Sequence, residues 1–266
     1  MDTVTSKDGT LIAFDRWGEG PAVILAGGAI QHRAIDPNTA RLAELLAPKF
    51  TVYHYDRRGR GDSGDTAPYA VEREIEDIDA LIQDAGGSAF LFGMSSGAVL
   101  ILEAADRGLA IKKLALYEPP FMIDDSRPPL TEDYRERLMA LLAAERRGDS
   151  IELFMTEAVG VPVETVAPMR DMPFWSGLES VAHTLPYDDA IMGDLTSGAP
   201  LPAGKWAAVT IPTLVVDGGA SPPWARNAVQ ALVDTLPNAH RRTLEGQTHQ
   251  VDSEVLAPLL EEFFAG

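Results

Sequence analysis

Residues 89–105 read Ala-Phe-Leu-Phe-Gly-Met-Ser-Ser-Gly-Ala-Val-Leu-Ile-Leu-Glu-Ala-Ala, and they decide the fold. A compact apolar run at 89–92 precedes Gly93-Met94-Ser95-Ser96-Gly97, and a segment that is apolar on nearly every side follows at 98–105. This order predicts a buried strand, a sharp turn and a buried helix. The glycines two residues before and two after Ser95 leave out side chains that would collide in so tight a turn. We therefore expect the turn to lift the Ser95 hydroxyl out of the sheet as a candidate nucleophile, and to aim the Ser96 N–H at the place where an oxyanion would form.

Short β-branched runs alternate with helical segments on both sides of this turn, which is typical of parallel strands joined by crossover helices. An Asp-Gly turn at 7–10 lies between two alternating segments and predicts an antiparallel hairpin at the sheet edge. Further strands are predicted at 22–26, 51–55, 114–117, 213–216 and about 241–244. Amphipathic periodicity predicts helices at 71–82 and 255–263. The predicted fold class is α/β, with a mostly parallel central sheet and helices on both faces.

Residues 121–203 interrupt this alternation. Helical pieces at 133–147 and 150–158 are separated from later ones by many prolines, so we predict a helical cap inserted into one core domain made of residues 1–120 and 204–266. The apolar side chains of the cap favour a hydrophobic substrate, with Trp175, Phe121 and Met155 as expected contacts. Packing inside the cap is the alternative explanation for each of these three residues.

The composition excludes several classes of partner and site. A length of 266 residues suits one domain, and the formal net charge of −18 disfavours binding to nucleic acid or to an anionic membrane surface. No apolar run approaches the roughly 20 residues of a membrane-spanning helix. The absence of cysteine excludes disulfides and thiolate metal sites. The polar first ten residues lack the features of a signal peptide, so the cytoplasm is the expected location.

A histidine follows the last predicted strand, in Gly246-Gln247-Thr248-His249. This placement puts His249 on a loop at the carboxyl end of the sheet, which is also the end where Ser95 is expected. The other histidines lack this placement, so we expect them to be structural or at the surface: His32, His54, His183 and His240. His249 is therefore the candidate general base.

With these motifs the chain resembles the α/β-hydrolase family over essentially its whole length. The resemblance implies the α/β-hydrolase fold, a loop that completes an oxyanion hole, and an acid that orients the histidine. Ala26-Gly27-Gly28-Ala29 is similar to the family's oxyanion loop, which implies Gly28, with Ala29 as the alternative, as the second N–H donor beside Ser96. Residues 54–64 are similar to the family's glycine-rich loop, where Asp and Arg are structural far more often than catalytic.

The position of the acid departs from the usual family pattern. Ser221 stands after the penultimate strand, where the family most often has aspartate, and a serine cannot hold an imidazolium by charge. The alternative position in the fold is the end of the strand after the nucleophile helix, where the chain has Glu118 followed by two prolines. We therefore choose Glu118, with Asp217 as the rival acid. In its Ser-Ser-Gly turn, its Glu-Pro step and its small residue plus Pro at the usual acid position, the chain resembles the fungal zearalenone lactone hydrolases.

These residues predict a serine hydrolase that cleaves a carboxylic ester or lactone through an acyl-enzyme on Ser95, with no metal or organic cofactor in the cycle. The expected partner is a small hydrophobic ester or lactone. A thioesterase, C–C hydrolase or cyclase of secondary metabolism with the same fold remains an alternative, as does a hydrolase-like ligand-binding protein without turnover.

Overall fold

The computed structural model describes residues 1–266, in which eight strands form one sheet. In chain order the strands are β1 (Asp2–Thr5), β2 (Leu11–Trp17), β3 (Ala22–Ala26), β4 (Thr51–Tyr55), β5 (Ala89–Met94), β6 (Ile111–Tyr117), β7 (Thr213–Gly218) and β8 (Ala239–Leu244). Across the sheet the order is β1-β2-β4-β3-β5-β6-β7-β8. Only the pairs β1–β2 and β2–β4 are antiparallel, so the predicted mostly parallel α/β sheet with an edge hairpin is confirmed.

Strand β6 begins three residues earlier than its apolar run predicted. Its start contains Lys112 and Lys113, whose charges hide the strand in the sequence. The pairing with β5 shifts register between Ala89 and Leu91, because Ala89 lies opposite Ile111 while Leu91 lies opposite Leu114. One extra residue on β6 accounts for this shift, as in a β-bulge.

Ten α-helices accompany the sheet: α1 (Pro37–Leu46), α2 (Val71–Asp84), α3 (Ser96–Asp106), α4 (Tyr134–Ala143), α5 (Arg147–Leu153), α6 (Val163–Val166), α7 (Trp175–Val181), α8 (Leu185–Met192), α9 (Pro223–Thr235) and α10 (Ser253–Ala265). Helices α2, α3 and α9 pack on one face of the sheet, and α1 and α10 pack on the other. Successive residues of a strand point to opposite faces, and in β3 Ile24 joins the first core while Val23 and Leu25 join the second. No helix in the structure has the length and apolar character needed to cross a membrane.

Residues 121–203, which we call the helical insertion, lie between β6 and β7. The predicted helix at 133–147 is wrong as a single helix, because α4 ends at Ala143. Glu145 adopts a left-handed conformation, with φ +58°, and the Arg146 N–H bonds back to Leu141 O at 2.9 Å. Such a turn closes the end of a helix. The predicted helix at 150–158 is also divided, since α5 ends at Leu153 and a π-helical turn continues from Phe154 to Val159.

Candidate active site

Ser95 lies in the sharp turn between β5 and α3, with φ +54° and ψ −130°. This backbone conformation costs a non-glycine residue on the order of 1–3 kcal/mol. Both flanking glycines are required by space: a Cβ on Gly93 would lie 2.6 Å from Gly97 O, and a Cβ on Gly97 would overlap the Ala26 and Gly27 carbonyls. The close approach of backbone to backbone thus holds Ser95 at the carboxyl edge of the sheet.

His249 and Glu118 are in direct contact. His249 Nδ1 is 2.9 Å from Glu118 Oε2, and the Gly218 N–H donates a 2.8 Å hydrogen bond to Glu118 Oε1. Glu118 is 1% exposed and follows the end of β6 in a left-handed conformation, with φ +43°. The Tyr117 hydroxyl donates to Thr248 O at 2.6 Å and so ties the histidine loop to the same strand. Because Nδ1 faces the carboxylate, Nε2 is the nitrogen left for other partners.

The rival acid, Asp217, is engaged elsewhere. It is fully buried, and Arg241 donates two hydrogen bonds to its carboxylate, at 3.0 and 2.8 Å. The Thr243 hydroxyl donates a third, at 2.9 Å. Asp217 thus faces β8, and Glu118 is the carboxylate that hydrogen-bonds His249.

Ser95, Glu118 and His249 all line one cavity of about 380 Å³. No hydrogen bond joins the Ser95 hydroxyl to His249 in this structure, and such bonds are often long until a substrate is bound. Half of the lining residues are hydrophobic, and many come from the helical insertion: Leu130, Phe154, Val159, Leu185 and Met192. The cavity can therefore enclose a substrate with an apolar body beside the serine.

Two backbone N–H groups near Ser95, those of Gly28 and Ala29, differ in whether they already donate a hydrogen bond within the protein. The Gly28 N–H donates to the side-chain oxygen of Gln31, whose amide nitrogen lies 3.6 Å from Met94 Sδ. Ala29 lines the cavity, and its N–H has no partner within the protein. A Cβ on Gly28 would lie 3.0 Å from Ser95 Cβ, which explains a glycine there. Gln31 is not predicted from the sequence, since no local pattern marks a glutamine three residues after Gly28 as a partner of this loop.

Ser96, the second serine of the turn, is anchored to the helical insertion. Its hydroxyl donates to Asp188 in α8 at 2.7 Å. Arg57 and Arg60 also bind this carboxylate, at 2.8 and 2.6 Å, and Arg60 donates to Gly28 O at 2.6 Å. Burial opposes ionisation of Asp188, but the charges of Arg60 and Arg57 hold its pKa below the ordinary value. This buried network joins the turn, the Gly28 loop and the insertion.

The three substrate contacts predicted from apolar character are placed elsewhere, and this corrects the prediction. Phe121 is fully buried and stacks on Trp206 with ring centroids 5.7 Å apart. Trp175 is 4% exposed and its indole N–H donates to Glu179, while Met155 packs against the same core of the insertion. None of the three lines the cavity. Phe121 packs in the core that covers one face of the sheet, while Trp175 and Met155 pack in the core of the insertion. Apolar composition alone cannot distinguish such core positions from a ligand surface.

The remaining histidines are also away from the cavity, and no group of three or more His, Asp or Glu side chains is arranged to hold a metal ion.

Comparison with known proteins shows what this chain is similar to. The model of the alpha/beta hydrolase family matches residues 23–261. An alpha/beta hydrolase from Sphaerobacter thermophilus is 60% identical in sequence, with a TM-score of 0.91 over 99% of this chain and 100% of that chain. A thermophilic esterase from Thermogutta terrifontis is 20% identical, with a TM-score of 0.67 over 99% of this chain and 97% of that chain. The enol-lactonase from Burkholderia xenovorans is also 20% identical, with a TM-score of 0.69 over the full length of both chains. At this identity, the last two show the fold alone.

Proposed function

The chain belongs to the alpha/beta hydrolase family, and from that premise we propose that it is a serine hydrolase that cleaves a carboxylic ester or lactone through an acyl-enzyme on Ser95. The observation that carries this proposal is the 2.9 Å contact between His249 Nδ1 and the buried Glu118 carboxylate, in the same cavity as the strained Ser95 turn. A nucleophile, a base and a group that orients the base are the parts that acyl transfer needs.

The reaction follows from these positions. Glu118 holds His249 with Nδ1 protonated, so Nε2 can accept the Ser95 proton as the serine oxygen attacks the substrate carbonyl. The tetrahedral intermediate collapses when His249 returns this proton to the leaving alkoxide, which departs as the alcohol and leaves an ester on Ser95. Water then attacks the acyl group, His249 takes the proton of the water and passes it to Ser95, and the carboxylic acid is released. In a lactone, the alcohol and the acid are parts of one product.

The oxyanion hole in this proposal consists of the N–H groups of Ser96 and Gly28. Ser96 is the first residue of α3, where N–H groups have no partner within the helix. The Gln31 side-chain oxygen occupies the Gly28 N–H, so we propose that the substrate carbonyl displaces it. The unpartnered Ala29 N–H is the alternative donor.

The helical insertion acts as the cap in this proposal. It contributes much of the apolar cavity wall beside Ser95, which supports a hydrophobic acyl or alkoxy group in the substrate.

The test is rapid-mixing hydrolysis of 4-nitrophenyl butyrate together with labelling by a fluorophosphonate probe. We expect the wild type to show a burst of 4-nitrophenol and to take up one label, and Ser95→Ala to show neither. A wild type without burst and without label, under conditions where it is folded, would exclude acyl-enzyme chemistry and leave a non-catalytic binding protein as the better description.

A further inference from the structure

Arg127 differs from every other buried arginine in having no carboxylate beside it. Arg57, Arg58 and Arg60 are each paired with a buried carboxylate at 2.6–2.7 Å. Arg127 is 9% exposed and forms no ion pair, although the chain has 40 acidic residues. A buried cation without a counter-ion is unfavourable, so its retention in an acidic protein calls for a partner.

The contacts of Arg127 leave one of its amino groups unused. Nη2 donates to the carbonyls of Glu157 and Ala158, at 3.0 and 2.7 Å. The guanidinium carbon lies 4.6 Å from the centroid of the Trp224 ring, which places the cation against the face of this ring. Nη1 is buried and has no hydrogen-bond partner. Burial also lowers the pKa of the guanidinium from its ordinary value, as expected where no anion compensates the charge.

Arg127 belongs to the wall of the cavity that holds Ser95 and His249. The carboxylates of that wall already have partners: Glu118 faces His249, Asp188 is paired with two arginines, and Asp189 lies 2.7 Å from Arg135 Nε. Arg127 is thus the uncompensated charge of the wall, and the cavity is the space from which a ligand can supply the missing acceptor.

We propose that the substrate carries a carboxylate in addition to its ester or lactone bond, and that Arg127 binds this carboxylate. The inference rests on the proposed hydrolase function. A carboxylate oxygen would accept from Nη1, and the new ion pair would replace the charge compensation that the protein itself does not provide. Apolar side chains around the cavity would enclose the rest of the molecule, so the substrate class is an amphipathic ester or lactone acid.

The test compares matched esters that differ only in this charge. One series contains the mono-4-nitrophenyl esters of adipic, pimelic and suberic acid, each compared with the diester whose second carboxyl group is methylated. The three acids differ in chain length, so that the series finds the length that spans from Ser95 to Arg127. A second series places the carboxylate on the alcohol, as acetyl esters of ω-hydroxy acids beside their methyl esters, followed by pH-stat. In at least one pair we expect kcat/KM to be about tenfold to hundredfold higher for the charged ester, as one charge-assisted hydrogen bond provides.

Substitutions of Arg127 test whether this residue causes the preference for the charged ester. Arg127→Gln should lose the preference, because its kcat/KM on the charged ester should fall to its own value on the neutral ester. Arg127→Lys, which retains a cation but not the planar fork, should keep part of the preference and also serves if Arg127→Gln does not fold. Arg146→Gln is the matched control, because it removes an exposed arginine that is paired with Asp149; it should leave the preference intact.

The outcomes separate this inference from the proposed function. Hydrolysis of neutral esters by the wild type without preference for the charged member of any pair would overturn the role of Arg127 and leave the hydrolase proposal standing. Equal loss on both members in Arg127→Gln, with a lower melting temperature, would show a purely structural arginine and would also overturn it. No hydrolysis of any ester by the folded wild type would refute the proposed function, and this inference with it.

Discussion

The exchange of Glu118 for glutamine tests the proposed role of this residue with the least change of shape. Glutamine keeps an oxygen that can accept from the Gly218 N–H, which now bonds Glu118 Oε1 at 2.8 Å. The group that faces His249 Nδ1 at 2.9 Å would then be an amide nitrogen, which donates a hydrogen bond and cannot accept one. The imidazole would therefore carry its proton on Nε2, where it cannot take the proton of Ser95.

The expected loss is large because the wrong tautomer stops general-base catalysis. Loss of the orienting acid with retained geometry lowers kcat about 10⁴-fold in a Ser-His-Asp triad, which corresponds to about 5.5 kcal/mol of transition-state stabilisation. For Glu118→Gln we expect kcat on 4-nitrophenyl butyrate to fall about 10³- to 10⁴-fold. The free energy of unfolding should fall by less than this, by about 1.5–3 kcal/mol, because the variant has the same shape and loses one charge-assisted hydrogen bond.

Asp217→Asn is the matched control, because Asp217 is the other buried carboxylate at this end of the sheet. It would weaken the pairing with Arg241, so stability should fall while kcat of the folded fraction stays within about tenfold of the wild type. Steady-state kinetics and urea unfolding of both variants measure these effects. A Glu118→Gln enzyme that keeps its kcat, beside an inactive but folded Asp217→Asn, would refute the assignment.

Three further predictions follow from the turn and its surroundings. In Gln31→Glu a carboxylate would accept the Gly28 N–H more strongly than the amide oxygen does, and its negative charge would repel the oxyanion. We therefore expect kcat/KM to fall about 10²- to 10³-fold in this variant and much less in Gln31→Ala. Equal activities of the two variants in the 4-nitrophenyl butyrate assay would contradict the proposed displacement. Ser95→Gly should be about 1 kcal/mol more stable to urea than Ser95→Ala, because only glycine relieves the strain at φ +54°; no difference would mean that the turn is unstrained. Asp188→Asn leaves two buried arginines without their shared counter-ion and should cost about 3–5 kcal/mol of unfolding free energy at pH 7. The pKa of Asp188 in the folded protein lies below its ordinary value of 3.8, so the stabilisation by this carboxylate is present above that pH and is lost as the pH falls through the folded pKa. The difference in unfolding free energy between wild type and Asp188→Asn should therefore narrow below about pH 3.8. Urea unfolding between pH 7 and 2.5 measures this difference, and a constant difference would contradict the prediction.

Local sequence patterns were sufficient to predict the strands of the central sheet. Strands β3 and β4 begin and end at the predicted residues, because a short apolar run between turn residues is a local signal that packing on both faces reinforces. The bounds of the helices in the insertion are harder to predict from the sequence, because these helices are short and each end depends on a single backbone conformation such as that of Glu145. A charged residue in a left-handed turn leaves no mark in an amphipathic pattern.

The sequence by itself determined the sheet, the Ser95 turn and the loop that carries His249, because glycine sterics and hydrophobic periodicity act between residues that are close in the chain. Only the tertiary structure decided which carboxylate meets the histidine. Glu118 directly follows β6, and Asp217 is the next-to-last residue of the adjacent parallel strand β7. Their side chains point in different directions, so that Glu118 meets His249 and Asp217 meets Arg241. Tertiary structure also decided which residues surround the cavity beside Ser95, placing Arg127 there and Trp175 in the core of the insertion. Contacts between residues far apart in the chain depend on how the helices pack, and no local pattern encodes that packing.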